Sequence, residues 1–272
     1  MTGVVTRREA TRRHAARARV RCYAELNDLL PKDQRGHSVT VEFDVSPSVK
    51  DVIERLGVPH TEVDLIVVDG RSVDFSFRVQ DGDHIAVYPR FRAIDDVGSA
   101  TRVRAEPLPK ARFVLDTHLG RLARYLRLGG FDTEYEPESG DRELARASVT
   151  RARTLLTRDR GLLERREVTH GYLVRATDPR AQFVEVLRRF ALAPELAPFT
   201  RCIECNGALR DATAEEIVDR VPDRARHQFD RFRACPDCGR VYWEGSHHAQ
   251  LAGILEEARL ACAMPERESG RA

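Results

Sequence analysis

The sequence predicts a multidomain protein, α+β in its first third and α/β in its middle, closed by a small module built around paired cysteines. Three observations predict this. Strand-like segments flank one short helix between residues 18 and 92, strand and helix patterns alternate between 111 and 192, and four of the six cysteines then fall into two Cys-x-x-Cys pairs. A chain of 272 residues is long enough to bury several such cores.

The first block, 18–92, contains β-rich runs at Val20 to Ala24 and Thr40 to Val45. Ser46-Pro47-Ser48 offers a helix cap ahead of Val49, Val52, Ile53 and Leu56, which share one helical face, and Gly57 and Pro59 stop that helix. Val63 to Val68 reads as a buried strand. Turns follow at Asp69-Gly70 and Asp81-Gly82-Asp83, and His84 to Tyr88 forms a further strand. Two strands, one helix and then more strands is the order of a β-grasp, the ubiquitin-like fold.

The stretch 93–110 has no apolar period and contains Gly98, Ser99, Pro107 and Pro109, the composition of a linker. The second block, 111–192, opens on Phe113-Val114-Leu115, a short apolar strand ending in Asp116. Leu119, Leu122, Ala123 and Leu126 then repeat at helical spacing up to Gly129-Gly130. Phe131 to Tyr135 can be a strand, and Ser139 to Ala147 a helix with Asp141 in its first turn. Thr154 to Thr157 is an apolar strand followed at once by Arg158-Asp159, and Gly171 to Ala176 is another. Pro179 opens a helix carrying Phe183, Val186, Leu187 and Phe190. Alternation of this kind implies a mostly parallel sheet. The third block, 193–272, starts with a proline-rich joint, holds the paired cysteines, and ends in a helix from His248 to Cys262 and a frayed tail.

Composition sets bounds on function. A net charge of +2 does not announce a nucleic-acid binder, and the dominance of arginine among the basic residues reflects genome composition as readily as phosphate recognition. No apolar run approaches the ~20 residues that span a bilayer, so no membrane role is expected. Residues 1–17 read as a disordered basic arm or an overlong gene start, with a phosphate-binding arm as the alternative. With no secretory signal in view, the expected compartment is the cytoplasm, where cysteine pairs are metal ligands rather than disulfides.

Asp116 and Asp159 each follow directly on a short apolar strand. In an open parallel sheet ligands gather beyond the C-terminal strand ends, so both carboxylates could share one crevice, with Asp141 pointing at the same place. Clustered carboxylates call for a cation, and hard oxygen ligands suit Mg²⁺ or Mn²⁺, which can support phosphoryl chemistry. The plainer reading of each acid is a turn former or helix cap. Arg121, Arg124 and Arg127 recur at spacing three, by default a solvated face. Arg124 and Arg158 are the choices for steadying a phosphate. His118 is either structural or a proton carrier.

The cysteines say more. Each Cys-x-x-Cys turn lets two thiolates reach one ion, and Cys202, Cys205, Cys235 and Cys238 together complete a tetrahedral shell of the kind structural Zn²⁺ uses. The pairs lie about thirty residues apart, workable for a ribbon with an insertion. A closed Cys₄ shell has no position for water, which assigns the ion to folding. Tyr242, Trp243, His247 and His248 form either a stacking surface for single-stranded RNA or simple packing against the ribbon.

These residues carry a resemblance. The run from Asp116 to Arg127 (Asp-Thr-His-Leu-Gly-Arg-Leu-Ala-Arg-Tyr-Leu-Arg) resembles the opening signature of the Mut-seven C-terminal RNase family. So do Leu156 to Leu163, Cys202 to Gly207, and Cys235 to Trp243 with Gly245-Ser246-His247 after it. The resemblance spans roughly Arg112 to His248. It implies a PIN-like nuclease domain with an appended zinc ribbon, in which Asp116, Asp141 and Asp159 are the acidic metal ligands and RNA is the substrate. PIN-type sites often use a fourth acid, for which Asp178 and Glu143 are candidates. The first block resembles the ubiquitin-like domain fused ahead of this RNase domain in prokaryotic members, and also small sulfur carriers. Pro89-Arg90-Phe91 stands where a carrier has its terminal Gly-Gly, which argues against that role and leaves docking to a protein partner or presentation of RNA. The expected function is a divalent-metal-dependent ribonuclease. The competing class is a non-catalytic RNA-binding or adaptor protein that uses the ribbon and the β-grasp domain.

Overall fold

The computed structural model describes residues 15–89, 103, 108 and 110–264. The basic arm up to residue 14, most of the 93–110 stretch and the tail after 264 lie outside the described residues. The chain divides into two compact units, 1–104 and 105–272.

The first unit is built on a five-stranded sheet. Strands β1 (Ala16–Cys22) and β2 (Val39–Phe43) are antiparallel, and helix α1 (Val49–Arg55) follows. Then come β3 (Val63–Val68), β4 (Arg71–Val73) and β5 (His84–Pro89), giving the order β2-β1-β5-β3-β4 with β1 and β5 parallel at the centre. A helix packed on a sheet whose first and last strands are central neighbours is the β-grasp arrangement. Ser48 caps α1 by accepting from Asp51 N, and Asp51 returns a carboxylate to Ser48 N, the reciprocal pair that starts a helix. Val49, Val52 and Ile53 form the buried stripe of α1, and Val20, Ile66 and Val87 are buried on the sheet. Strand β1 begins four residues earlier than its β-rich core suggests, because Ala16 to Arg19 pair with β2. The β1–β2 connection contains two 3₁₀ turns, Ala24–Leu29 and Lys32–Gln34, which bury Leu26 and Leu29.

The second unit starts with β6 (Arg112–Leu115), a 3₁₀ turn (Thr117–Leu119), α2 (Gly120–Leu128), β7 (Asp132–Tyr135), α3 (Asp141–Thr150) and β8 (Thr154–Thr157). Next are α4 (Arg160–Glu164), β9 (Gly171–Leu173) and α5 (Pro179–Arg189). All strand pairs are parallel and the order is β7-β6-β8-β9. From β6 the chain moves outward to β7, then crosses back through α3 to β8 and on to β9. The direction of winding therefore reverses between β6 and β8.

A three-stranded ribbon follows, β10 (Arg210–Asp211), β11 (Phe232–Ala234) and β12 (Val241–Trp243). The thirty-residue gap between the cysteine pairs holds two short helices, α6 (Ala214–Arg220) and α7 (Asp223–Gln228). Helix α8 (Ser246–Ala263) then returns to α5 and places Leu255 and Ala258 in the same core as Phe113, Leu122, Leu126, Phe183 and Leu187. The apolar residues of α2 that repeat at helical spacing all lie in this core. No helix among the described residues is long and apolar enough to cross a membrane.

Candidate active site and cysteine metal centre

The winding reversal leaves a crevice beyond the C-terminal ends of β6 and β8, the place where open parallel sheets bind ligands. Asp116 directly follows β6 and is 7% exposed. Its Oδ1 accepts from Thr117 N at 2.6 Å and from Thr117 Oγ1 at 3.2 Å, while Oδ2 accepts from Thr157 Oγ1 at 2.6 Å. Thr157 ends β8 and is fully buried. The same Thr157 hydroxyl oxygen accepts from Asp159 N at 2.9 Å. One threonine therefore ties the two acid-bearing loops together. Asp159 is exposed, and its Oδ1 caps α4 by accepting from Gly161 N at 2.8 Å. Asp141, also exposed, is the first residue of α3, the helix that packs against β6 and β8.

Beside this edge lies a cleft of about 600 Å³ lined by His118, Gly120, Arg121, Arg158, Thr177, Pro179 and Gln182. Arg121 and Arg158 are exposed, and Arg158 Nη1 donates to Ala176 O at 3.2 Å. Gly120 permits this wall to close. A Cβ there would collide with the Tyr135 hydroxyl, which donates to Thr117 O at 2.9 Å. Of the two arginines chosen from the sequence, Arg158 reaches the cleft, whereas Arg124 forms an ion pair with Glu204 at 2.7 Å. Arg127 departs from the solvated face expected for its row. It is 5% exposed, and it donates to Thr133 O at 2.9 Å and to Glu204 O at 2.6 Å, because the first cysteine turn presents carbonyls there that need a donor.

The two candidates for a fourth acid both serve local caps. Asp178 Oδ1 accepts from Arg180 N and Ala181 N at 3.0 Å, and Glu143 Oε2 accepts from Gly140 N at 3.3 Å. Residues not singled out in the sequence are Thr157, whose pattern is that of an ordinary strand threonine, and Arg121, hidden in a row of three arginines.

The cysteines converge. One sulfur from each of Cys202, Cys205, Cys235 and Cys238 lies within 4.8 Å of all the others. Among the described residues this is the one group of three or more His, Cys, Asp or Glu side chains gathered so closely. The Cys202–Cys238 and Cys205–Cys235 sulfur separations are 3.6 and 3.4 Å, near the ~3.8 Å edge of a tetrahedron with 2.3 Å Zn–S bonds. The donor set thus fits a zinc ion. Its two turns are built alike. Cys202 N donates to Gly207 O and Cys235 N to Arg240 O, and the residue after each second cysteine is left-handed, Asn206 at φ +73° and Gly239 at φ +74°. Asn tolerates that region better than most residues and Gly enters it without strain. Burial raises the Cys202 thiol, but hydrogen bonds from Tyr242 and from backbone amides outweigh it and bring it down to about 7.

The first turn docks on the edge of the parallel sheet. Asn206 Oδ1 accepts from Thr133 N at 2.9 Å, and its Nδ2 donates to Asp132 Oδ1 at 2.8 Å. Asp132 also accepts from Arg153 at 2.8 Å and Arg112 at 3.2 Å.

Fold and site together define an all-parallel α/β domain with an acid-bearing switch point and a basic cleft, carrying a Cys₄ ribbon compatible with zinc. Residues 111–255 match the Mut7-C RNAse domain family and residues 15–95 match the Mut7-C ubiquitin domain. The first match covers more than half of the chain, and the chain belongs to the Mut7-C RNAse domain family. No curated protein and no solved structure matches the chain significantly.

Proposed function

We propose that the chain is a divalent-metal-dependent ribonuclease. The observation that carries the reading is that Thr157 hydrogen-bonds both the Asp116 carboxylate and the Asp159 backbone amide at the reversal between β6 and β8, beside a cleft lined by His118, Arg121 and Arg158. Asp116, Asp159 and, from the start of α3, Asp141 would hold Mg²⁺ or Mn²⁺, hard cations that take carboxylate oxygens. Such an ion, when bound, neutralises charge on the phosphoryl oxygens and acidifies water. The chain's own residues do the rest. Thr117 and Thr157 fix the Asp116 carboxylate so that it needs no reorganisation, and Arg158 and Arg121 offer guanidinium donors to a phosphodiester. Arg124 joins them only by leaving Glu204. Zinc in the Cys₄ shell serves folding, and the ribbon's Tyr242 and Trp243 would help engage RNA.

A specific observation favours a second reading. Asp159 and the fourth-acid candidates all act as helix caps, as they would in a non-catalytic RNA-binding or adaptor protein.

Cleavage of a labelled single-stranded RNA separates the two. With Mg²⁺ or Mn²⁺ the protein is expected to cut, and Asp159→Asn to lower the rate at least a hundredfold while still binding RNA. Full activity in a clean Asp159→Asn preparation would refute the site assignment. Binding without cutting in every metal tried would favour the adaptor.

A further inference from the structure

The sheet of the β-grasp unit has two unlike faces. Successive side chains of a strand alternate, and along β1 Ala18, Val20 and Cys22 turn into the core while Arg17, Arg19 and Arg21 turn out. The three arginines stand about 6.8 Å apart in a row along a central strand. Registers extend this face. Arg19 lies opposite His84 and Arg21 opposite Ala86 on β5, and Tyr88 lies opposite Leu65 on β3. Just past β1, the Tyr23 ring stacks on Tyr88 with centroids 4.4 Å apart and planes 14° from parallel, and the Arg21 guanidinium sits 5.4 Å from the Tyr23 centroid.

The charges do not cancel. Arg17 pairs with Glu42 at 2.8 Å and His84 with Asp69 at 3.4 Å, all of them substantially exposed. Among the described residues, no carboxylate pairs with Arg19 or Arg21. Covering two such guanidiniums with an apolar protein surface would strand buried charge without a partner. A phosphate backbone satisfies them and releases counterions as it binds. The Tyr23–Tyr88 stack, with the Arg21 guanidinium over Tyr23, holds that cation in place beside Arg19.

We propose that this outer face, with Arg19 and Arg21 on phosphates, binds the backbone of single-stranded RNA. The proposal is independent of the cleavage chemistry, since it rests on residues of the other unit.

The test uses the full chain and a fluorescein-labelled oligouridylate of about 12 nucleotides, without added Mg²⁺ or Mn²⁺ and with the probe checked for integrity. The double variant Arg19→Gln/Arg21→Gln is expected to keep the parent melting profile and to bind at least tenfold more weakly at about 50 mM salt. The slope of log K against log salt should fall in magnitude by about 1.4, two single-strand phosphate contacts at ~0.7 each. Ultraviolet crosslinks in the unaltered chain should map to Tyr23 or Tyr88, which keeps the proposal testable even if the double variant misfolds. Unchanged affinity and slope, or crosslinks lying wholly outside β1, β5 and Tyr23, would overturn it and leave the face to a protein partner.

Discussion

Thr157 ties together the two loops that carry Asp116 and Asp159. It is fully buried, donates to Asp116 and accepts from the Asp159 backbone, so both loops inherit the rigidity of β8. Thr157→Val keeps the shape and removes both hydrogen bonds, leaving a buried carboxylate oxygen and an amide without this partner. We expect a loss of about 1–3 kcal/mol in stability by denaturant titration, and weaker Mn²⁺ binding by isothermal calorimetry. Unchanged metal affinity would mean that Asp116 does not need this brace. The sequence marked Asp159 through the charged triplet around it. Thr157 was invisible for a physical reason: in an apolar strand a threonine reads as a β-former, and its second partner is 41 residues away.

At the scale of the element, α2 shows how a row kept at a spacing of three drifts around the helix. Each step of three turns the helix by about 300°, so Arg121, Arg124 and Arg127 fan out to the cleft, to Glu204 and into the buried joint with the ribbon. The apolar stripe of the same helix was legible because burial selects strictly for it; the arginines answer to partners far along the chain, which a local pattern does not contain. The joint that Arg127 reaches is expected to weaken in acid. Burial works to raise the Asp132 carboxyl, but the hydrogen bonds from Arg153 and Asn206 and the nearby arginine charges prevail and hold it at about 2. A folded value below the unfolded ~3.9 means that the contribution is complete above about pH 4 and disappears as pH falls through the folded value. Denaturant midpoints measured between pH 5 and 2 should drop more steeply for the parent than for Asp132→Asn. Parallel profiles would show that Asp132 does not couple to folding.

The whole molecule divides less simply than its three sequence blocks suggest. The β-grasp order, the parallel α/β order and the cysteine pairs were all readable, because each rests on local periodicity or fixed spacing. What spacing does not reveal is that the cysteine module and α8 complete the core and edge of the α/β domain instead of standing apart. Stripping the metal with a thiol-competitive chelator should therefore destabilise the second unit as a whole. Structural zinc contributes on the order of 10 kcal/mol in small modules, so the melting midpoint of that unit should fall by at least about 10 °C. The transition of the first unit should stay in place. Trp243, the single tryptophan, lies on β12 beside the site and reports the change by its emission. A midpoint indifferent to chelation would remove zinc from the account of folding.

Helix α8 has a consequence for the order of events during synthesis. The β-grasp sheet is complete once β5 has left the ribosome, whereas the α/β core lacks Leu255 and Ala258 until about 170 further residues have been made. At ~5–20 residues per second this is a delay of roughly ten to thirty seconds. Through that interval the nascent protein displays a finished β-grasp domain while the α/β domain waits for its last wall, so the first unit can fold and be exposed well before the core of the second is closed.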